Sequence, residues 1–247
     1  GVSNLHLDNN LTYFYDYRGD FGTGYAALLK DDVFYLGTNQ GLYRSRWEDL
    51  NNSADFIKFQ LVPGSEGQVW SLQNVDDRVL VGHDRGLMLL EGNSLQWLGR
   101  QNGVWTMLRF REYLLTGNYN GISIFKKSEK GWVFWKKMDL ILGSCNQILT
   151  DSENVLWVNI PNYGIIRAEL DEQLYPSNRS FFKEHIFEGS NPRIIKKGNE
   201  IQVITDKKRY VYDAAQQQFK PIDFTLLPLD VEALLPGVYE PTALRAD

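Results

Sequence analysis

Apolar runs alternate with short polar turns along most of this chain, and the alternation repeats. From Val33 to Ser45 it reads VFYLGTNQGLYRS: an apolar run, Gly-Thr-Asn-Gln-Gly, then a second apolar run. This is the pattern of a β-hairpin, and a lone hairpin is only marginally stable in water. The stretch recurs as VLVGHDRGLMLL from Val79, YLLTGNYNGISIF from Tyr113, VLWVNIPNYGIIR from Val155 and, degenerately, IQVITDKKRYVYD from Ile201. The second turn glycine marks the register at Gly41, Gly86, Gly121 and Gly164, with Arg209 in the fifth copy; the spacings are 45, 35, 43 and 45 residues. A further apolar segment begins 16 or 17 residues before each marker, at Tyr25, Val69, Val104, Gln147 and Arg193. The runs FIKFQLV from Phe56, WVFWKKM from Trp132 and QFKPIDF from Gln218 supply outer strands.

Each period therefore holds four strands. Four-stranded units repeating every 40–50 residues or so predict an all-β fold, a β-propeller with about five visible repeats. A stacked solenoid is the alternative architecture. Glycine at the marker supplies positive φ without Cβ strain, and the neighbouring Asn39, Asn118, Asn120 and Asn162 tolerate left-handed geometry next best. Arg209 breaks this rule and predicts a looser turn. Helical patterning is confined to Trp47–Asn51 and Val231–Leu235. LTYFYDYRGDF (Leu11 to Phe21) reads as the outer strands of an incomplete first blade. Blades then occupy residues 1–224, and residues 225–247 begin a next blade or form a cap. The repeats either close a small ring or form an arc of a larger propeller of about seven blades.

Composition narrows the function classes. Of 247 residues, 43% are hydrophobic and 13% aromatic, and the formal net charge is −5. Aromatic enrichment suits strands. The acidic balance argues against a nucleic-acid face, which needs a basic patch. The pairs Lys126-Lys127, Lys136-Lys137 and Lys207-Lys208 read as solvated strand edges. Cys145 is the sole cysteine, so no intrachain disulfide forms. No run approaches the ~18 apolar residues of a membrane helix. The polar start GVSNLHLDNN is no signal peptide and lacks an initiator Met, so the chain reads as a piece of a longer protein.

Catalytic and metal chemistry find little support. There is no G-x-S-x-G elbow, and His6, His83 and His185 are scattered. Cys145 reads as a core residue. Asp151-Ser152-Glu153-Asn154, Asp76-Asp77 and Asp31-Asp32 fall between strands and read as polar turns rather than calcium ligands. Glycoside hydrolysis needs two carboxylates converging at about 5–10 Å, but no inner strand begins with Asp or Glu. No motif implies a cofactor. The expectation is a protein without enzymatic activity.

The segment ILTDSENVLWVNIPNYGIIR (Ile148 to Arg167), with YLGTNQGLY and EGQVWSLQ, resembles the repeat of two-component regulator propeller proteins. It is similar to bacterial propeller sensors best known from Bacteroidetes. The resemblance implies a periplasmic sensor region of a membrane-anchored regulator. It also implies a glycan-derived or other nutrient ligand and self-association of the parent protein. Asn159 departs from the Gly-Thr usual after Trp-Val in that repeat.

In a propeller the hairpin turns and the loops leading into the inner strands share one face. The candidate ligand-binding residues on that face are Asn39, Gln40, His83, Arg85, Asn118, Tyr119, Asn162 and Tyr163, with Trp70 and Trp105 just behind. Aromatic, amide and arginine side chains together suit a carbohydrate or an anionic sugar. A scaffold for protein contacts alone is the alternative.

Overall fold

The computed structural model describes residues 19–52, 59–129, 131–138, 143–151 and 155–222. These form a β-propeller arrangement of five four-stranded antiparallel sheets, each with its strands in chain order. The first sheet comprises β1 (Gly24–Lys30), β2 (Val33–Thr38), β3 (Leu42–Arg46) and β4 (Gln60–Leu61). The second comprises β5 (Val69–Val75), β6 (Arg78–His83), β7 (Gly86–Glu91) and β8 (Ser94–Gly99). The third comprises β9 (Thr106–Phe110), β10 (Tyr113–Asn118), β11 (Gly121–Ser128) and β12 (Gly131–Met138). The fourth comprises β13 (Gln147–Thr150), β14 (Val155–Ile160), β15 (Gly164–Leu170) and β16 (Pro176–Lys183). The fifth comprises β17 (Arg193–Lys197), β18 (Glu200–Ile204), β19 (Arg209–Asp213) and β20 (Gln218–Ile222). One short helix, α1 (Trp47–Asn52), follows β3, one residue longer than the pattern predicts. The half-blade read over residues 11–18, the tail 225–247 and the helical pattern at Val231–Leu235 lie outside the described residues.

Both faces of the inner sheets are apolar because each packs on a neighbour. Leu42 of the first sheet meets Val81 and Met88 of the second. Leu80 and Leu87 meet Leu114 and Phe125 of the third. Leu115 and Ile124 meet Leu156 and Val158 of the fourth, and Trp157 and Ile165 meet Val203 and Tyr210 of the fifth. On the far side of the first sheet, Phe34, Leu36 and Tyr43 are covered by Phe21, Phe59 and Leu50 of α1. Seams thus join the sheets in chain order, and among the described residues no comparable seam joins the fifth to the first.

The turns repay comparison with their sequence. Asp31 and Asp32 (φ 50° and 59°), and Asp76 and Asp77 (51° and 62°), are the central pairs of two-residue hairpin turns, the geometry of type I′. The fifth hairpin corrects the expectation at Arg209. Its turn is tight: Thr205 N–H donates to Lys208 O at 2.9 Å. Thr205 Oγ1 accepts the Lys207 and Lys208 N–H groups at 3.2 and 2.9 Å. Thr38 does the same for Gln40 and Gly41 at 3.0 and 3.2 Å. Lys208 stands at the marker position, in a turn closed by the same threonine bonds as the first hairpin. Of the outer strand read as FIKFQLV, residues 56–58 lie outside the described residues; β4 pairs with β3, and Val62 N–H reaches Leu42 O at 2.8 Å.

One strand position governs the seams. A Cβ on Gly37 would lie 2.6 Å from Val69 Cγ1, and one on Gly82 would lie 2.5 Å from Val104 O. A Cβ on Gly117 would strike Cys145 O. Each glycine lets the lead-in to the next inner strand lie against the preceding sheet. In the fourth sheet Asn159 takes this place, and its Nδ2 donates across the seam to Pro192 O at 2.8 Å. The departure noted in the sequence therefore keeps the joint by a different bond. Gly82→Ala is expected to cost about 1–3 kcal/mol through overpacking, lowering Tm by roughly 2–12 °C. Gly24→Ala, at an exposed position whose nearest neighbour is the end of the Leu36 side chain, should stay within about 0.5 kcal/mol. Equal melting of the two variants by circular dichroism would contradict this role for the seam glycine.

Candidate functional site

The first two inner strands each begin with a slip in register. The pairing of β1 with β2 slips at Tyr25, and that of β5 with β6 slips at Trp70. Trp105 precedes β9 in the same position, its N–H donating to Gly117 O at 2.9 Å. Two bulges and the lead-in to β9 thus place three aromatic side chains together at one end of the inner strands. Asn146, whose N–H reaches Asn159 O at 3.3 Å, holds the position in the fourth sheet, and Pro192 holds it in the fifth.

The three rings form a ladder. Tyr25 and Trp70 have centroids 4.6 Å apart with planes at 36°. Trp70 and Trp105 stack at 4.3 Å and 19°. Tyr119 leans from the β10–β11 turn, edge-on to Trp105 at 5.6 Å, and its hydroxyl accepts the Trp70 Nε1–H at 2.9 Å. Gly103 makes this possible: its φ is +73°, and the Tyr119 ring stands where a Cβ would be. Backbone bonds brace the arrangement. Gly103 N–H donates to Asp84 O at 2.7 Å, Asp84 N–H to Gln68 O at 2.9 Å, and Tyr119 N–H to Asn102 O at 3.2 Å. Desolvation raises the Tyr119 phenol above its ordinary value, and the Asp84 charge adds to this against the Trp70 hydrogen bond. Trp105 Nε1 and Asn146 Oδ1 are buried without a hydrogen-bond partner.

The structure sorts the residues of the expected face. Trp70, Trp105 and Tyr119 are brought together. Asn39 is occupied: its Oδ1 accepts Thr23 N–H at 2.8 Å and its own N–H returns to Thr23 O at 3.0 Å. Gln40 is exposed at the turn tip. Asn118 is fully buried, accepting from Thr116 Oγ1 at 2.9 Å and donating to Gln101 O at 3.3 Å. Asn162, at φ 65°, shapes its turn. Tyr163 is 68% exposed, with no ring contact to the ladder among the described residues. Arg85 reaches Glu66 O, lies 5.9 Å over Trp97 of the outer strand β8 and has its Nε 3.7 Å from Asp84 Oδ1. Tyr25 was not among the candidates. It lies 16 residues before Gly41, as Trp70 lies before Gly86 and Trp105 before Gly121, and that shared offset marks it.

His83 is fully buried beneath the face. Its Nδ1 accepts Arg85 N–H at 3.1 Å, and its Nε2 faces Ser65 O at 3.3 Å. Burial holds the imidazole below its ordinary value of 6.5, outweighing the adjacent Asp84 carboxylate, which favours the cation. The Cys145 thiol, also buried, is pushed up to about 12, unsuited to a thiolate nucleophile. Asp151 Oδ2 accepts Trp157 Nε1–H at 2.8 Å, a structural role. Among the described residues no three potential metal ligands cluster, and no helix is long and apolar enough to cross a membrane.

No protein-family profile matches the chain, and no curated protein does. Solved structures share the fold. The extracellular domain of BT4673 from B. thetaiotaomicron, described as a hybrid two component system, aligns over 84% of this chain and 32% of its own. Its TM-score is 0.64 at 14% identity. That of BT3049 from the same organism aligns over 81% and 30%, with TM-score 0.59 at 15% identity. Virginiamycin B lyase from Staphylococcus aureus aligns over 83% and 72%, with TM-score 0.60 at 14% identity. The chain spans about a third of the length of the two signalling domains.

The depressed His83 value sets a pH dependence. Below about pH 6.5 the unfolded imidazole takes a proton that the folded one resists, so stability is held above that pH and lost as pH falls. The wild-type Tm is expected to drop between pH 7.5 and 5.5. His83→Gln should start lower and change less over that interval. Parallel pH profiles for the two proteins would refute the assignment.

Proposed function

We propose that this chain is the ligand-sensing propeller of an extracytoplasmic signalling protein. It binds a glycan fragment or other nutrient-derived molecule at the aromatic ladder and performs no catalysis. The observation that carries this reading is the ladder itself, Tyr25, Trp70, Trp105 and Tyr119, gathered at one end of the inner strands of three successive sheets. Aromatic surfaces with a polar handle are suited to ligand contact. The likeness of fold to extracellular domains of B. thetaiotaomicron signalling proteins supports the context. The positions equivalent to the ladder in the remaining sheets, Asn146 and Pro192, bring no carboxylate, which supports a binding rather than a hydrolytic role.

A scaffold role is the second reading. It is favoured by Val133 and Phe134 of β12 and Phe181 of β16, 43%, 42% and 48% exposed on outer strands, where a second copy in the parent protein would also find apolar surface. Thermal-shift screening against glycan fragments and small nutrients separates the two. A ligand at a hundred times its Kd adds about 2.7 kcal/mol of stability, a rise in Tm of several degrees. That rise should vanish in Trp70→Ala and persist in Phe134→Ser. No shift with any compound, alongside dimerisation abolished by Phe134→Ser, would favour the scaffold.

A further inference from the structure

We infer that the outer rim of the third sheet is a contact surface for an anionic lipid bilayer, where the lysines of β11 and β12 meet headgroup phosphates and Val133 and Phe134 press between them. This goes beyond the sensing reading and holds whether or not the ladder is occupied. Two features carry it, the make-up of the rim and its charge.

Strand β12 is the outermost of its sheet. Its pairing with β11 slips between Phe125 and Ile124, which leaves Trp135 as the extra residue of a bulge. Trp135 stacks on Tyr113 at 5.4 Å and 14°. Lys126 Nζ lies 3.4 Å from the Trp135 ring centroid and Lys136 Nζ 4.6 Å. Lys136 Nζ also lies 3.7 Å over the exposed Tyr175 ring and donates to Gln173 O at 2.8 Å. Val133, which pairs with Lys126, and its neighbour Phe134 are exposed. Exposed apolar side chains rimmed by charge mark an interaction surface.

The charge of this unit opposes that of the chain. Residues 104–138 hold seven of the 26 basic residues against two of the 31 acidic ones, in a chain of net charge −5. Among the described residues no carboxylate pairs with Lys126, Lys136 or Lys137, whereas Lys127 is held by Asp76 at 2.8 Å. Anionic headgroups complement such a cluster, and acidic groups farther away than about 8 Å are screened at physiological ionic strength. Lysine selects the bilayer over a protein partner, because protein interfaces favour arginine and are depleted in lysine. The arginines of this sheet are engaged by backbone carbonyls: Arg109 donates to Tyr113 O at 2.8 Å and Arg111 to Asp171 O at 2.9 Å. Lysine at a strand edge also opposes pairing with a second copy. Tryptophan, tyrosine and lysine together are the residues of a membrane–water interface, where the lysine stem lies along apolar surface and the ammonium stays hydrated. The unpaired backbone of β12 needs water, so the contact stops at headgroup depth.

Flotation of the whole chain with vesicles tests this. The probes are phosphatidylcholine vesicles and vesicles of equal parts phosphatidylcholine and phosphatidylglycerol. Binding to the second should be roughly tenfold tighter or more and should fall as salt is raised. Lys126→Gln, Lys136→Gln and Lys137→Gln should each weaken it about fivefold, and Phe134→Ser should weaken it further. Lys137 is exposed and holds no ring contact, so its variant keeps the test open if either of the other two fails to fold. Lys197→Gln, the same charge change on the exposed end of β17, should bind as wild type. Equal affinity for the two vesicles, binding to neither, or an equal loss in Lys197→Gln would overturn the inference. So would tighter binding to poly-glutamate than to the anionic vesicles, which would make the partner an acidic protein. A dimer dissolved by Phe134→Ser, with no vesicle binding, would make the face an interface between copies and overturn it as well.

Discussion

The fold depends on one close approach repeated along the chain. Where a sheet meets its successor, a strand position without a side chain lets the lead-in residue of the next inner strand sit against the backbone. Val69 sits against Gly37, Val104 against Gly82 and Cys145 against Gly117. All three of these lead-in residues are fully buried. The residue that follows projects as Trp70 after Val69 and as Trp105 after Val104, so the stacked indoles come from two successive joints, and Tyr25 at the start of the first sheet packs onto them.

Around the seam the remaining features fall into order. The short hairpin turns carry the carbonyls that receive the next lead-in loop, as Asp84 O receives Gly103 and Asn118 O receives Cys145. Asp84 is also the neighbour of buried His83, so the acid–base state of that imidazole is tied to the turn that braces Gly103 and, through it, the seat of Tyr119. Where the fourth sheet lacks the glycine, Asn159 supplies a hydrogen bond across the joint instead. The seam tolerates two chemistries, close packing or a bridging amide, provided the strands stay in register.

Much of this was legible in the residues. Five copies at nearly constant offsets fix four strands per unit, because strand alternation and turn composition are local properties. The acid pairs read as turns, and they are turns. The marker at Arg209 is misplaced by one residue, because the fifth turn has no glycine at Lys208 and spacing alone varies by a residue or more between copies. The site was only partly legible. Burial of His83 and Asn118, the contact of Arg85 with Glu66 O and the stacking of Trp70 on Trp105 all depend on which neighbours the fold supplies, and no single segment encodes that. Tyr25 was within reach, since its offset from the marker equals those of the two tryptophans.

The account centres on the Trp70–Trp105 stack as a rigid wall made by two adjacent sheets. Two indoles at 4.3 Å and 19° couple their electronic transitions, and exciton circular dichroism reads that coupling directly. The wild-type chain should show a couplet in the indole band region that disappears to the same extent in Trp70→Phe and Trp105→Phe. No couplet in the wild type, or unequal loss in the two variants, would contradict the account.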